Sequence, residues 1–149
     1  MKQYLIALPF LVSLALPAQA QQDPIGRIKR MAGTVSLERA GKTLPVEPGT
    51  ALFEGDRLRT GRDGYAGLTL ADDTLLTTGP GSLLVLSRFA FNPTTQEGEL
   101  KAALPHGTLQ VVSGLIAKKS PEKLEFKGRN VVLGVRGTEF ILSVPGDAE

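Results

Sequence analysis

The segment Gly134-Val135-Arg136-Gly137-Thr138-Glu139-Phe140 lies near the end of the 149-residue chain, between two short apolar runs. Val131-Val132-Leu133 precedes it and Ile141-Leu142 follows it, and runs of this length and composition predict β-strands. An arginine between two glycines at the junction of two strands is an unusual local composition. We interpret the chain as an all-β domain that ends by holding this segment in place.

Short runs of alternating apolar and polar residues fill the chain upstream of this segment. The 17 glycines and 10 prolines punctuate these runs, at a spacing of about 8–12 residues that is typical of all-β folds. Helical periodicity is not convincing in any stretch. The pattern predicts many short antiparallel strands in a sandwich or roll. A short β-solenoid of hairpins is the alternative, although no strict repeat is visible.

Two turns are predicted where polar residues separate alternating runs. A hairpin is expected from Gly33–Arg39 and Thr43–Val46. Asp72-Asp73 follows the alternating run Tyr65–Leu70 and precedes another run, and adjacent aspartates in such a place are ordinary turn residues. We therefore interpret this pair as a turn rather than as a metal site, which would need more oxygen ligands.

Pro105 is predicted to end a strand that begins at Glu99, and Gly107–Val112 is predicted to form the next strand. His106, the single histidine, lies between them. We interpret it as a turn residue, because neither a catalytic base nor a metal ligand has a visible set of partners in the sequence. The sequence therefore predicts no catalytic residue, no metal site and no cofactor.

The N-terminal 20 residues have the three regions of a secretory signal peptide. Lys2 supplies the positive charge, Tyr4–Leu16 is apolar, and Pro17-Ala18-Gln19-Ala20 supplies the small residues of a cleavage site. We expect cleavage after Ala20, no retained membrane span, and a single domain over residues 21–149 in the periplasm. The chain contains no cysteine, so a lipid anchor on cysteine and disulfides are excluded.

Charge and composition restrict the kind of partner. The chain has 17 Lys and Arg against 15 Asp and Glu, and aromatic residues make up 5%. This near balance argues against nucleic-acid binding, which requires a basic stripe. A local basic segment carries interleaved glutamates and is interpreted as a solvated mixed-charge strand, with an anionic partner as the alternative; its cations are Lys118, Lys119, Lys123, Lys127 and Arg129.

A second glycine-bracketed segment runs from Gly55 to Gly61 and contains Asp56 and Arg59. Arg59, like Arg136, is followed closely by threonine and glycine. A guanidinium group can hydrogen-bond several carbonyls or one carboxylate at once. We predict that Arg136 is partly buried and ties the last strand to a turn, with Asp56 as a candidate partner; a partner-binding role for Arg136 is the alternative.

These segments together resemble FecR-like domains. The motifs occur in the family's order from about Gly26 to Val144, and the ending Val-Arg-Gly-Thr-Glu-Phe is the most specific of them. The motifs are Gly33-Thr34-Val35, Gly55–Gly61, Tyr65–Thr74, Gly79-Pro80, His106–Leu109 and Gly134–Phe140, and the structural motif residues within them are Gly55, Asp56, Arg59, Gly61, Gly134, Arg136, Gly137 and Thr138.

The resemblance implies a periplasmic, all-β module without enzymatic activity. In iron-uptake regulators of this family, the module relays a signal from an outer-membrane transporter to a cytoplasmic sigma factor. This sequence shows neither the anti-sigma segment nor a retained transmembrane helix, so we expect only the role of the domain itself: binding or signalling through an unidentified envelope protein, in an unknown oligomeric state. The alternatives are a peptidoglycan- or carbohydrate-associated module and a small envelope hydrolase.

Overall fold

One strand of 15 residues, β9 (Gly98–Val112), organises the fold. The computed structural model describes Pro17 and residues 21–146. The predicted cleavage site after Ala20 therefore lies outside the described residues. Within them, twelve strands form one curled, largely antiparallel sheet around a single core. The predicted all-β fold class is confirmed.

Eight short strands precede β9, and three follow it. The β2–β3 pair is the predicted hairpin, with Leu37 opposite Leu44. The strands are β1 (Gly26–Ala32), β2 (Val35–Arg39), β3 (Lys42–Pro45), β4 (Ala51–Leu52), β5 (Arg57–Thr60), β6 (Tyr65–Leu70), β7 (Leu75–Thr78), β8 (Leu83–Phe91), β10 (Leu124–Lys127), β11 (Val132–Gly134) and β12 (Glu139–Val144).

The two halves of β9 belong to two arms of the sheet. The first half pairs with β8 on one side and, in parallel, with β10 on the other. The second half pairs with β7 and β12, both antiparallel. The arms continue outward as β5–β2–β3 and as β6–β1–β4. This order is a roll rather than a stack of hairpins, because β5 pairs with β8 and β7 pairs with β9.

The predictions that Pro105 ends a strand and that His106 is a turn residue are both wrong, because β9 runs through both residues. Pro105 lies inside β9 at a point where the pairing with β8 is irregular. Because no regular β8–β9 hydrogen bond is made there, the missing N–H group of proline is tolerated. Gly107 has a φ of 105°, and a side chain there would collide with the buried Ser82. Before this bend the even-numbered residues of β9, such as Leu104, point into the core. After it the odd-numbered residues, such as Leu109, do so. A glycine in the left-handed region lets one strand serve both arms.

The core is aliphatic and continuous across both arms. Leu58, Leu84 and Leu100 are buried in the first arm, and Leu68 and Leu76 are buried in the second. Phe126 of β10 contacts Phe140 of β12 edge to face, with ring centroids 5.2 Å apart. Burial of such side chains stabilises the fold by about 1.5–3 kcal/mol each. The core therefore holds the chain together without the disulfides that its composition excludes.

A short helix interrupts the β pattern, so the interpretation of the basic segment from Lys118 to Arg129 as a strand holds only for its part in β10. Helix α1 (Leu115–Lys119) buries Ile116 in the core and is followed by a 3₁₀ turn, Pro121–Lys123. Five residues are too few to show a 3.6-residue period, which explains why the sequence did not reveal the helix. Neither of these two helices, the only ones in the described part of the chain, is long and apolar enough to cross a membrane.

Candidate functional site

Asp56 has a partner that the sequence did not suggest. Its carboxylate is 1% exposed and accepts hydrogen bonds from Nε and Nη2 of Arg39, at 2.8 and 2.7 Å. It also accepts one from the backbone N–H of Phe53, at 2.8 Å. The Arg39 guanidinium lies over the Phe53 ring, 4.5 Å from its centroid. Arg39 and Asp56 therefore fasten strand β2 to the turn before β5.

The Asp56 hydrogen bonds raise the pKa of the Arg39 guanidinium above its ordinary value, and partial burial offsets only part of that rise. A third contact, from Nη2 of Arg39 to the carbonyl of Ala51 at 3.1 Å, uses the second N–H of the nitrogen that also donates to Asp56. Fork-to-carboxylate geometry of this kind is among the stronger polar contacts in proteins. The role is structural, because the pair is satisfied by the fold itself.

The rest of the Gly55–Gly61 segment is also structural. Gly55 has a φ of 90°, which favours glycine. The Gly61 N–H donates to the carbonyl of Thr34 at 2.9 Å. Arg59 is exposed and lies 3.6 Å from the Glu38 carboxylate, which also faces Arg57 at 3.5 Å. The segment therefore makes its contacts within the sheet.

The predicted pairing of Arg136 with Asp56 is wrong. Arg136 is exposed, and it makes no hydrogen bond or ion pair with the residues that the structure describes. Val135, its neighbour, is the residue that is buried, at 6% exposure. The physical reason is that Asp56 already has its cation in Arg39, and burying a second, unpaired guanidinium would be unfavourable.

The glycines around Arg136 have open surroundings. A Cβ atom at Gly134 or Gly137 would meet no atom within 4 Å. Neither has a positive φ, whereas Gly33, Gly55 and Gly107 do. Internal packing therefore does not require glycine at positions 134 and 137. These positions leave the backbone accessible to an approaching chain.

A cleft of about 400 Å³ lies between this segment and α1. Arg136, Gly137 and Thr138 form one wall, and Ala117 and Lys118 belong to the other. The segment is held in place by Ser113, whose hydroxyl donates to the carbonyl of Gly137 at 3.0 Å. Lys118, like Arg136, is exposed and has no ion pair within the described part of the chain. The cleft is therefore positively charged.

Strand β12 continues from the cleft and has one unpaired edge. The N–H of Ser113 donates to the carbonyl of Thr138 at 2.8 Å, and antiparallel pairs alternate between bonded and non-bonded. Phe140 and every second residue after it consequently bond to β9. The backbone groups of Glu139, Ile141 and Ser143 point the other way and have no strand partner in the described residues. The Ile141 side chain is 66% exposed.

The exposed edge was missed in the sequence, although a signal was present. Native edge strands commonly carry lysine, proline or a bulge that prevents pairing with another chain. Strand β12 contains neither lysine nor proline, and its six-residue ladder with β9 has no bulge. We name the surface formed by residues 134–138, Lys118 and the free edge of β12 the C-terminal surface.

His106 and Asp72 each make hydrogen bonds within the fold. The Nδ1 atom of His106 lies 2.9 Å from the carbonyl of Gly81, which identifies it as the donor. Asp72 is fully buried and accepts hydrogen bonds from the hydroxyl of Thr74 at 2.7 Å and the N–H of Ile116 at 3.2 Å. The prediction that Asp72-Asp73 forms a turn is confirmed, and the turn also anchors α1. The described residues contain no cluster of three or more potential metal ligands.

A small charge cluster on β8 and β9 shows how other surface cations are paired. Glu99 lies 3.3 Å from both Arg88 and Lys101. Hydrogen bonds from Arg88 and then Lys101 lower the pKa of Glu99. Arg88 also lies 3.8 Å from Glu54. Arg136 and Lys118 differ from these cations because no carboxylate in the described residues faces them.

Comparison with known proteins identifies the family. The profile described as FecR protein matches residues 56–149, which is more than half of the chain. The match begins at Asp56 and includes the Arg136 segment, whereas the β1–β3 region precedes it. No curated protein and no solved structure gives a significant match. The chain belongs to the FecR protein family, a family of regulatory and signalling proteins.

Proposed function

We propose that this chain is a non-enzymatic binding and signalling module of the bacterial cell envelope that docks on another envelope protein through the C-terminal surface. The observation that carries the proposal is the exposed Arg136, which has no ion pair among the described residues and lies between two glycines that internal packing does not require. A cation that no carboxylate in the described part of the chain neutralises is available to a partner. Membership in a signalling family supports a protein as that partner.

The other polar groups of the chain favour binding over catalysis. The hydrogen bonds of Asp72 are made to its own turn and to α1, and Asp56 is occupied by Arg39. A catalytic acid or base needs access to a substrate and a pKa near the working pH. His106 is held by a backbone carbonyl and has no carboxylate hydrogen-bonded to its ring among the described residues. Docking explains the exposed groups better than chemistry does.

The test is affinity capture with variants of matched exposure. The full chain with a C-terminal tag is expressed in the native host, cross-linked briefly and recovered. Arg136→Ala and Arg136→Glu are compared with Arg62→Ala, which removes another exposed arginine beside a glycine. We expect one envelope protein that is recovered with the wild type and with Arg62→Ala, and at least about tenfold less with Arg136→Glu, as for the loss of a buried interface charge.

Thermal melts accompany this test, because a loss of capture is informative only if the variants remain folded. Equal capture by all variants would overturn the assignment of the C-terminal surface. Failure to recover any specific envelope protein would overturn the proposed function itself.

The periplasmic location has its own test. We expect the chain in the periplasmic fraction, with an intact mass that begins at Gln21, as the signal-peptide pattern predicts. Retention of residues 1–20 in a cytoplasmic product would contradict it.

A further inference from the structure

The turn of the β10–β11 hairpin is exposed, apolar and cationic. Phe126 of β10 is buried, so its neighbour Lys127 points to the opposite, outer face. Val132 pairs directly with Lys127 across the hairpin, and directly opposite residues share a face. Val131 and Val132 are 44% and 58% exposed. Two exposed valines therefore lie next to each other and beside a cation, and we name residues 127–132 the hairpin tip.

We propose that the hairpin tip binds the surface of an anionic phospholipid membrane. Val131 and Val132 enter the boundary between headgroups and acyl chains, while Lys127 and Arg129 lie at the level of the lipid phosphates. This contact goes beyond the proposed function, because its partner is a lipid rather than a protein. The hairpin tip and the C-terminal surface have no residue in common.

The hairpin tip is preformed. The N–H of Gly128 donates to the carbonyl of Val131 at 2.8 Å, which closes a tight loop made of Arg129 and Asn130. Gly128 is closely packed, since a Cβ atom there would lie 2.9 Å from Val131 and 3.2 Å from Val144 of β12. The valines are therefore exposed on a turn that is held against the sheet. Little conformational freedom is lost when such a turn binds, which favours affinity.

The hairpin tip stands between two clefts. Arg129 borders both of them, so the turn forms a ridge. Apolar side chains on a ridge can enter a fluid lipid surface, which needs no matching shape to receive them. One cleft, of about 270 Å³, is lined by Ala103, Pro105, Lys127, Gly128 and Arg129; the other, of about 320 Å³, is lined by Arg129, Asn130, Val131, Ser143, Val144 and Pro145.

Charge makes an anionic membrane the matching surface. Residues 126–138, all of which the structure describes, include no aspartate or glutamate. Lys127 makes no ion pair with any residue of the described part of the chain. Glu125 lies on the same face of β10 but further from the turn. A lysine or arginine close to an anionic lipid surface strengthens binding about fivefold, so an exposed lysine beside two valines favours such a surface.

The small size of the hairpin tip favours lipid over protein. A stable protein interface uses about 20–30 residues on each side, far more than the hairpin tip supplies. Membrane attachment gains separately from each apolar group that is inserted and from each cation near the phosphates. A short turn with two exposed valines and a free lysine is therefore sufficient for weak, reversible attachment to a membrane.

Insertion can be measured directly because the chain contains no tryptophan. Val132→Trp places one in the hairpin tip. Leu75→Trp is the matched control, because Leu75 is also an exposed apolar strand residue but belongs to β7 in the other arm. Each variant, purified as the native host processes it, is mixed with vesicles of phosphatidylcholine or of equal parts phosphatidylcholine and phosphatidylglycerol. With the anionic vesicles alone, we expect Val132→Trp emission to shift to shorter wavelength and to be quenched by brominated acyl chains; Leu75→Trp should show neither change.

Vesicle sedimentation measures the affinity of the chain without tryptophan. We expect wild-type binding to the anionic vesicles to be at least about tenfold tighter than to phosphatidylcholine alone. Val131→Ser combined with Val132→Ser should weaken it about tenfold, and Lys127→Gln about fivefold, whereas Lys127→Arg keeps the charge and should keep the affinity. Leu75→Ser and Lys42→Gln, at exposed positions elsewhere, should bind like the wild type. Thermal melts confirm that all variants are folded.

Equal binding to both kinds of vesicle, or binding that the two serine substitutions leave unchanged, would overturn the membrane contact. An unshifted Val132→Trp emission would do the same. A polyglutamate peptide is the competing probe: if it binds the wild type more tightly than the anionic vesicles do, and Lys127→Gln abolishes that binding, the hairpin tip is a site for an acidic protein and not for lipid. None of these results affects the envelope protein partner, because its capture compares Arg136→Glu with Arg62→Ala.

Discussion

Two segments of this protein have a similar residue composition, but one is packed into the fold and the other is exposed. Gly55–Gly61 and Gly134–Thr138 each combine glycines with arginine near a strand. In the first, the aspartate is buried and held by Arg39, and Gly55 has a positive φ. In the second, the arginine is exposed, and a Cβ atom at either glycine would meet no atom within 4 Å. The difference teaches that a glycine-flanked charge can hold a fold together or remain available to a partner, and that contacts rather than composition distinguish the two.

The largest expected effect on stability comes from removing the buried contact between Asp56 and Arg39. Asp56→Ala removes the carboxylate that accepts three hydrogen bonds and leaves the Arg39 guanidinium unpaired. We expect the free energy of unfolding to fall by about 2–4 kcal/mol, the range for removing one partner of a buried, hydrogen-bonded charge. Urea denaturation measures it. Asp63→Ala, at an exposed turn, should cost less than about 1 kcal/mol; equal losses would contradict a special role for Asp56.

The glycines give the next largest effect. Gly55→Ala forces a side chain into a left-handed backbone conformation, so we expect a loss of about 1–2 kcal/mol in the free energy of unfolding. Gly137→Ala should change it by less than about 0.5 kcal/mol, because the added methyl group meets no atom. A large loss at Gly137 would show that the second segment is structural after all.

A paired surface charge should show a smaller effect that appears only in acid. The lowered pKa of Glu99 means that its ionised form is stabilised in the folded state. This contribution is present above the unfolded pKa, near 4.3, and is lost as pH falls through the lower folded pKa. We therefore expect Glu99→Gln to reduce the pH dependence of stability below about pH 4.5 and to leave its slope near neutrality unchanged. Denaturation midpoints between about pH 3 and 7 test this.

The smallest expected effect on stability is at Arg136. Because this side chain is exposed and unpaired in the described structure, Arg136→Ala should change the free energy of unfolding by less than about 0.5 kcal/mol. The same substitution should weaken capture of the envelope partner. A loss of several kcal/mol would instead support the structural role that the sequence suggested.

Much of the fold was predictable from the sequence. Alternation predicted β2, β3 and β6, and turn chemistry predicted the hairpins at Gly41 and Asp72-Asp73. The strand-like runs on either side of Arg136 were also predicted, as β11 and β12. Their pairing was not, because β11 pairs with β10 and β12 pairs with β9. Strand partners depend on contacts between residues that are distant in sequence, and the local alternation of apolar and polar residues does not predict those contacts.

The candidate site was half predictable. Position and composition singled out Arg136, and its two alternatives, a structural tie and a binding role, were both available. The choice between them depended on Arg39, which the sequence did not distinguish from other strand arginines. The free edge of β12 had a readable signal in its missing lysine and proline, but this signal has meaning only once the strand is known to lie at an edge.

The sequence by itself determined the β class, the turns, the absence of thiol chemistry and the family resemblance, because these follow from residue type, alternation and short motifs. Only the tertiary structure decided that Pro105 and Gly107 bend one strand through both arms of the sheet, that Asp56 pairs with Arg39, and that Arg136 lies exposed at the surface. A buried carboxylate takes whichever cation the fold brings within reach. That cation came from β2, so Arg136 was left at the surface.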